Sequence, residues 1–102
     1  MTGVCCRCGA EGPIERHHPT GRMKGKPIHS WFTFPTCPPC NGAQNDLWRQ
    51  AGLFTDAPTV TILLRRLLLW EDQLPRPMTK GEEDGYARVL ADLILRLRGE
   101  AA

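Results

Sequence analysis

Two Cys-x-x-Cys pairs, Cys5/Cys8 and Cys37/Cys40, enclose 28 residues of a 102-residue chain. No other feature limits the fold as much. Thiols at this spacing either crosslink or hold a metal. The stretch Met1-Thr2-Gly3-Val4 ahead of Cys5 is too short for a signal peptide. Secretion and a pair of disulfides are therefore the weaker expectation, and a metal site in a reducing compartment the stronger. Four thiolates close a tetrahedral shell, so the expected ion is a structural Zn²⁺ on Cys5, Cys8, Cys37 and Cys40. Cys6 is left over and reads as a neutral thiol beside the site.

The need for such a staple follows from the placement of apolar residues. A chain this short buries only about two-thirds of its unfolded surface. Before Thr59 it is rich in Cys, Pro, Gly and His; after it, leucine dominates. The expected fold class is α+β. Residues 1–52 form a zinc-stapled β-hairpin plus helix, and 53–102 form a two-helix hairpin that packs on it or makes an interface.

Pro13–His18 reads as a first strand, broken by Pro19-Thr20-Gly21-Arg22. Met23–Pro27 is a basic loop. Ile28–Phe34 has the aromatic and β-branched content of a second strand. A helix is predicted from Asn41 to about Ala51, with Gly52 as its stop. Thr59–Gln73 carries a helical stripe of Val60, Leu63, Leu64, Leu67, Trp70 and Leu74. Ile62 and Leu69 lie on its other side, as on a helix packed twice or paired with another chain. Thr79 caps a last helix, about Lys80–Arg98, whose inner face is Tyr86, Val89, Leu90, Leu93, Ile94 and Leu97. Trp31, Phe32 and Trp48 are expected in the core. No apolar run approaches the about 18 residues of a membrane span.

Net charge is +2, which neither demands nor excludes nucleic acid. The distribution says more. Arg7, Arg16, Arg22, Lys24 and Lys26 crowd the first part, whereas Glu71, Asp72, Glu82, Glu83 and Asp84 make part of the second acidic. With the thiols assigned to zinc, His17 and His18 are free for other work. Successive strand residues point to opposite sides, so the two imidazoles share a task only if the strand ends there, as Pro19 implies. Glu15 reads as strand surface or a partner for Arg16.

The run Cys5-x-x-Cys8-Gly9, then His17-His18-Pro19-Thr20-Gly21-Arg22, then Thr33-Phe34-Pro35-Thr36-Cys37-Pro38-Pro39-Cys40-Asn41 resembles the zinc-bound HNH endonucleases of phages and bacteria. Its Cys-x-x-Cys-Asn ending is also similar to the recombination endonucleases that resolve branched DNA. The resemblance covers about residues 5–50. It implies a ββα-metal finger and a cytoplasmic enzyme of a bacterial or phage-infected cell that hydrolyses DNA phosphodiester bonds. It implies His18 as general base, and His17 with Asn41 as holders of a catalytic Mg²⁺ or Mn²⁺. Arg22, Lys24 and Lys26 are then expected on neighbouring phosphates.

The chemistry suits these types. Imidazole titrates near neutrality, and a divalent cation offsets charge on phosphate and leaving oxygen. The family's middle Asn is absent; Trp31, Phe32 and Thr33 stand in that region. His29 reads as incidental, with part of that Asn's role as the alternative. For Asn41 a helix N-cap is the competing role. Two rival functions remain: a non-catalytic zinc module that binds nucleic acid, and an adaptor whose C-terminal helices dock on a second copy or a protein partner.

Overall fold

The computed structural model describes residues 1–101; residue 102, the last of the predicted helical hairpin, lies outside them. The fold is α+β: short antiparallel strands in two-stranded sheets, three helices and a cysteine cluster.

The first hairpin joins β1 (Thr2–Val4) to β2 (Glu11–Pro13), with Gly3 opposite Gly12. Its loop carries Cys5 and Cys8. Gly9 turns the chain at φ +75°, a conformation that favours glycine, and its amide reaches the Cys5 carbonyl at 3.0 Å. β3 (Glu15–His17) pairs antiparallel with β6 (Phe34–Thr36), setting His17 opposite Phe34 and Glu15 opposite Thr36. Between them, β4 (Arg22–Met23) and β5 (Lys26–Pro27) form a small hairpin. Lys24 (φ +53°) and Gly25 (φ +80°) make its two-residue turn, the left-handed pair that suits strand twist.

The strand at Pro13–His18 is thus shorter than predicted, and Pro13 belongs to β2. The strand predicted at Ile28–Phe34 is displaced toward the second knuckle. Residues 28–31 are turn, closed by the Phe32 amide on the His29 carbonyl at 3.0 Å. That turn throws Trp31 outward, 48 % exposed, against the expectation of core. Phe32 and Trp48 are buried as expected.

α1 spans Pro38–Gln50, starting three residues earlier than predicted. Two prolines at its first positions lack the amides that a helix start leaves unpaired, and their φ is already helical. The end is a Schellman motif. Gly52 (φ +73°) donates to the Arg49 carbonyl at 3.1 Å and Leu53 to the Trp48 carbonyl at 2.7 Å.

α2 spans Val60–Asp72; Thr59 is its cap rather than its first residue, with Oγ1 accepting from the Ile62 amide at 3.3 Å. α3 spans Lys80–Ala101 behind a capping box. Glu82 N–H donates to Thr79 Oγ1 at 3.2 Å and Thr79 N–H to Glu82 Oε1 at 2.8 Å. The two helices run antiparallel: Tyr86 donates to Glu71 at one end, and Arg96 and Gly99 flank Val60 at the other.

One core cluster joins both parts of the chain. Phe32 and Phe34 from the β6 region sit with Val60, Leu63, Leu67 and Trp70 of α2 and with Val89 and Leu93 of α3. Phe34 and Trp70 have ring centroids 4.2 Å apart. Phe32 also packs on Gly85, where a Cβ would lie 3.0 Å from its ring. Ile94 (47 %) and Leu97 (42 %) lie outside, although both were expected on the inner face: Ile94 is about 100° round the helix from the buried Leu93, and Leu97 lies at the end of the hairpin, where Val60 begins α2.

Candidate functional site

The Sγ atoms of Cys5, Cys8, Cys37 and Cys40 all lie within 4.8 Å of one another. Cys8 and Cys37 Sγ are 3.7 Å apart. A tetrahedron with Zn–S bonds of about 2.3 Å has edges of about 3.8 Å, so the cluster fits zinc. The Arg7 amide turns toward Cys5 Sγ at 3.4 Å, the knuckle geometry that steadies a thiolate. Burial raises the Cys5 pKa, but amides of Cys37, Cys8 and Arg7 outweigh it and bring the thiol down to about 6. The N-terminus of α1, with Cys37 at the cap and Cys40 in the first turn, adds its positive dipole end. Cys6 stands apart in the apolar core, and burial pushes its thiol up to about 11. It is the neutral spare.

His17 and His18 belong to a separate group of residues, lining a cleft that contains none of the four cysteines. His17 is buried and ends β3. Its Nδ1 meets Asn41 Oδ1 at 2.9 Å, and its ring packs on Trp48 with centroids 5.5 Å apart. His17 Nε2 is buried without a partner among the described residues. Burial holds this imidazole down to about 4, so it is neutral at pH 7.

His18 is half-buried. Burial, and then the Arg22 charge, hold it below the ordinary histidine value, so it too is neutral and able to accept a proton. The Gly21 amide closes the turn after it on the His18 carbonyl at 2.8 Å.

Asn41 is not an N-cap. Cys37 occupies that position, and Asn41 lies in the first turn with its side chain toward β3. Its Nδ2 donates to Glu15 Oε2 at 2.7 Å. Glu15, read from sequence as strand surface or a partner of Arg16, therefore takes part in the site. The alternation of a strand could have found it, since Glu15 and His17 share a face.

His17, His18, Asn41, Arg16 and Arg22 line one open cleft of about 310 Å³. Lys24 and Lys26 stand exposed on the β4–β5 hairpin beside it and are not among the lining residues. The four-cysteine cluster is outside the cleft.

Two further residues hold the cleft together, one passed over in the sequence and one read there as incidental. Arg66 of α2 is buried, and its guanidinium donates to the carbonyls of Leu53 (2.8 Å), Thr20 (2.9 Å) and Thr55 (2.9 Å). It also lies 5.0 Å from the Trp48 ring. Gly21 (φ +77°) lets both in, because a Cβ there would meet Arg66 Nη1 at 2.8 Å and Trp48 at 3.0 Å. The second residue is His29, which is buried and not incidental. Its Nδ1 pairs with Thr20 Oγ1 at 2.8 Å. Its Nε2 pairs with Asp92 of α3 at 2.7 Å. The turn after His18 is thus pinned by α2 through Arg66 and by α3 through His29.

Comparison with family models, with curated proteins and with solved structures returned no match. The functional reading rests on the residues and their geometry. No helix among the described residues is long and apolar enough to cross a membrane.

Proposed function

We propose that this chain is a metal-dependent DNA endonuclease of the HNH type, with β3, β6 and α1 as its ββα-metal finger. The observation that carries the reading is the 2.9 Å approach of His17 Nδ1 to Asn41 Oδ1, in a cleft shared with a neutral His18. Adjacent ligands on an octahedral cation with bonds of about 2.1 Å are about 3.0 Å apart, so this pair fits a Mg²⁺ or Mn²⁺ site. A hydrogen bond at this distance needs the proton on Nδ1, whereas ligation there would need the tautomer protonated on Nε2. A cation so held would offset negative charge on the phosphate and the leaving oxygen.

The chain's own groups supply the rest. His18 takes a proton from water, which bonds to phosphorus as one ester P–O bond breaks and the departing oxygen takes up a proton. Arg16 and Arg22 bind phosphate oxygens at the cleft, and Lys24 and Lys26 continue that contact along the backbone. Zinc at the four cysteines would tie the β1–β2 loop to the start of α1 and take no part in the chemistry.

The test is nicking of supercoiled plasmid by the zinc-loaded protein with Mg²⁺ or Mn²⁺. Wild type should nick, and His18→Ala should abolish nicking at unchanged zinc content. Wild type that shifts DNA but never cuts it under either cation supports a non-catalytic binding module instead. A protein-docking reading draws on a different observation, the exposed Leu68, Ile94, Leu95 and Leu97 of α2 and α3. It gains if the protein neither cuts nor binds DNA.

A further inference from the structure

We infer that Glu15 is a positioning residue, whose carboxylate decides which end of the Asn41 amide faces His17. The inference rests on the reading of His17 and Asn41 as cation ligands. An asparagine amide has an oxygen that ligates and an NH₂ that repels a cation, and the two ends have nearly the same shape. His17 alone does not choose between them, because Nδ1 of a neutral imidazole either donates or accepts. Glu15 does choose. An ionised carboxylate only accepts hydrogen bonds, so it takes the NH₂ end, at 2.7 Å from Nδ2. The oxygen is thereby turned to His17, at 2.9 Å.

The backbone enforces this arrangement. Glu15 and His17 are alternate residues of β3, registered against Thr36 and Phe34 of β6. β6 runs through Cys37 directly into α1, where Asn41 sits in the first turn. A bare Asn41 would spend part of its time with its NH₂ toward the cation position. Partners that orient ligands in this way typically govern affinity by about 10- to 100-fold. Glu15 is exposed, so it can be replaced without opening the core.

The experiment is titration of the zinc-loaded full chain with Mn²⁺, followed by the electron paramagnetic signal of free Mn²⁺. Glu15→Ala should weaken Mn²⁺ binding about 10-fold or more. In an Asn41→Asp background, where both ends of the side chain are ligating oxygens, Glu15→Ala should cost no Mn²⁺ affinity. Zinc content and melting temperature should stay at the wild-type values in both. Wild-type affinity in Glu15→Ala overturns the inference. So does an equal loss from Glu15→Ala in the Asn41→Asp background, which would make charge, not orientation, the contribution. His17→Ala and Asn41→Ala separate the levels. If both lose Mn²⁺ while Glu15→Ala keeps it, only the role of Glu15 fails. If neither loses it, or wild type binds none, the cation site fails and the inference with it.

Discussion

His29 Nε2 and Asp92 Oδ2 are 2.7 Å apart, across 63 positions of sequence. The other nitrogen of the same ring holds Thr20 Oγ1, in the turn that follows His18. One buried imidazole therefore ties the proposed base to the last helix. His29→Leu would keep the bulk but strand the Thr20 hydroxyl, which is wholly buried. An unpaired buried hydroxyl costs about 1–3 kcal/mol. Urea denaturation of the zinc-loaded variant should show a loss of that size. An unchanged midpoint would mean that the bridge contributes nothing.

Asp92 gives this bridge a pH dependence. The hydrogen bond from His29, with a further one from Arg96, holds its carboxyl below the ordinary carboxylate value. A carboxylate depressed in the folded state stabilises above its unfolded pKa of about 3.9, and that stabilisation disappears as pH falls through the lower folded value. Asp92→Asn lacks this contribution throughout. The stability gap between wild type and variant should therefore be full near pH 6 and narrow below about pH 4. A gap that widens on acidification would contradict the assignment.

Zinc removal should unfold far more than the knuckles. Structural zinc in small modules contributes on the order of 10 kcal/mol, and here the cluster joins the β1–β2 loop to the start of α1. Chelation at neutral pH should abolish the cooperative thermal transition seen by circular dichroism. One zinc per chain should return on reconstitution. Cys6→Ala should retain that stoichiometry, whereas Cys8→Ala should lose it.

Arg66 should tolerate no replacement. Its three carbonyl partners come from two loops, and its planar fork reaches all of them at once. Arg66→Met leaves three carbonyls without their donor, and each one left buried and unpaired costs about 1–3 kcal/mol, so a large loss is expected. Lysine has one nitrogen and a different shape, so Arg66→Lys should recover little. Chemical denaturation of both variants beside wild type decides this. A lysine variant of near-native stability would show that charge alone suffices.

Under the nuclease reading, the acid limb of the pH–rate profile belongs to His18. A general base works only when neutral, so the rate rises with pH through its pKa. Burial and Arg22 depress that pKa below 6.5, so the half-maximal point should fall below pH 6.5. Arg22→Gln removes the like charge and should move the limb toward higher pH, whatever it does to the plateau. A limb that stays in place would exclude His18 or its coupling to Arg22.

Local chemistry was legible in the sequence, and distant chemistry was not. The Cys-x-x-Cys pairs, the Thr79 cap, the Gly52 stop and the leucine period of α2 are short-range signals, and each lies where its spacing implies. The second strand was misplaced because Trp31 and Phe32 carry strand-like composition for another reason. Phe32 is needed against Gly85 and Trp70, and the turn that delivers it exposes Trp31. Glu15 and His29 were undervalued because Asn41 and Asp92, which give them their roles, sit on helices elsewhere in the chain. Strand alternation places Glu15 on the face of His17, but no local pattern announces the pairing of His29 with Asp92. Arg66 was missed for a like reason: within a leucine-rich helix it looks like a solvated charge, and only the loops folded over it make it a buried one.

The shared aromatic cluster bears on how such a chain can be inherited. Phe32 and Phe34 belong to the stretch between the knuckles, yet the surfaces that cover them belong to α2 and α3. A finger copied into another protein without those helices would carry two phenyl rings facing water. Recombination at the Gly52 boundary would separate the rings from their cover, so the helical half travels with the knuckles or must be replaced by an equivalent apolar lid.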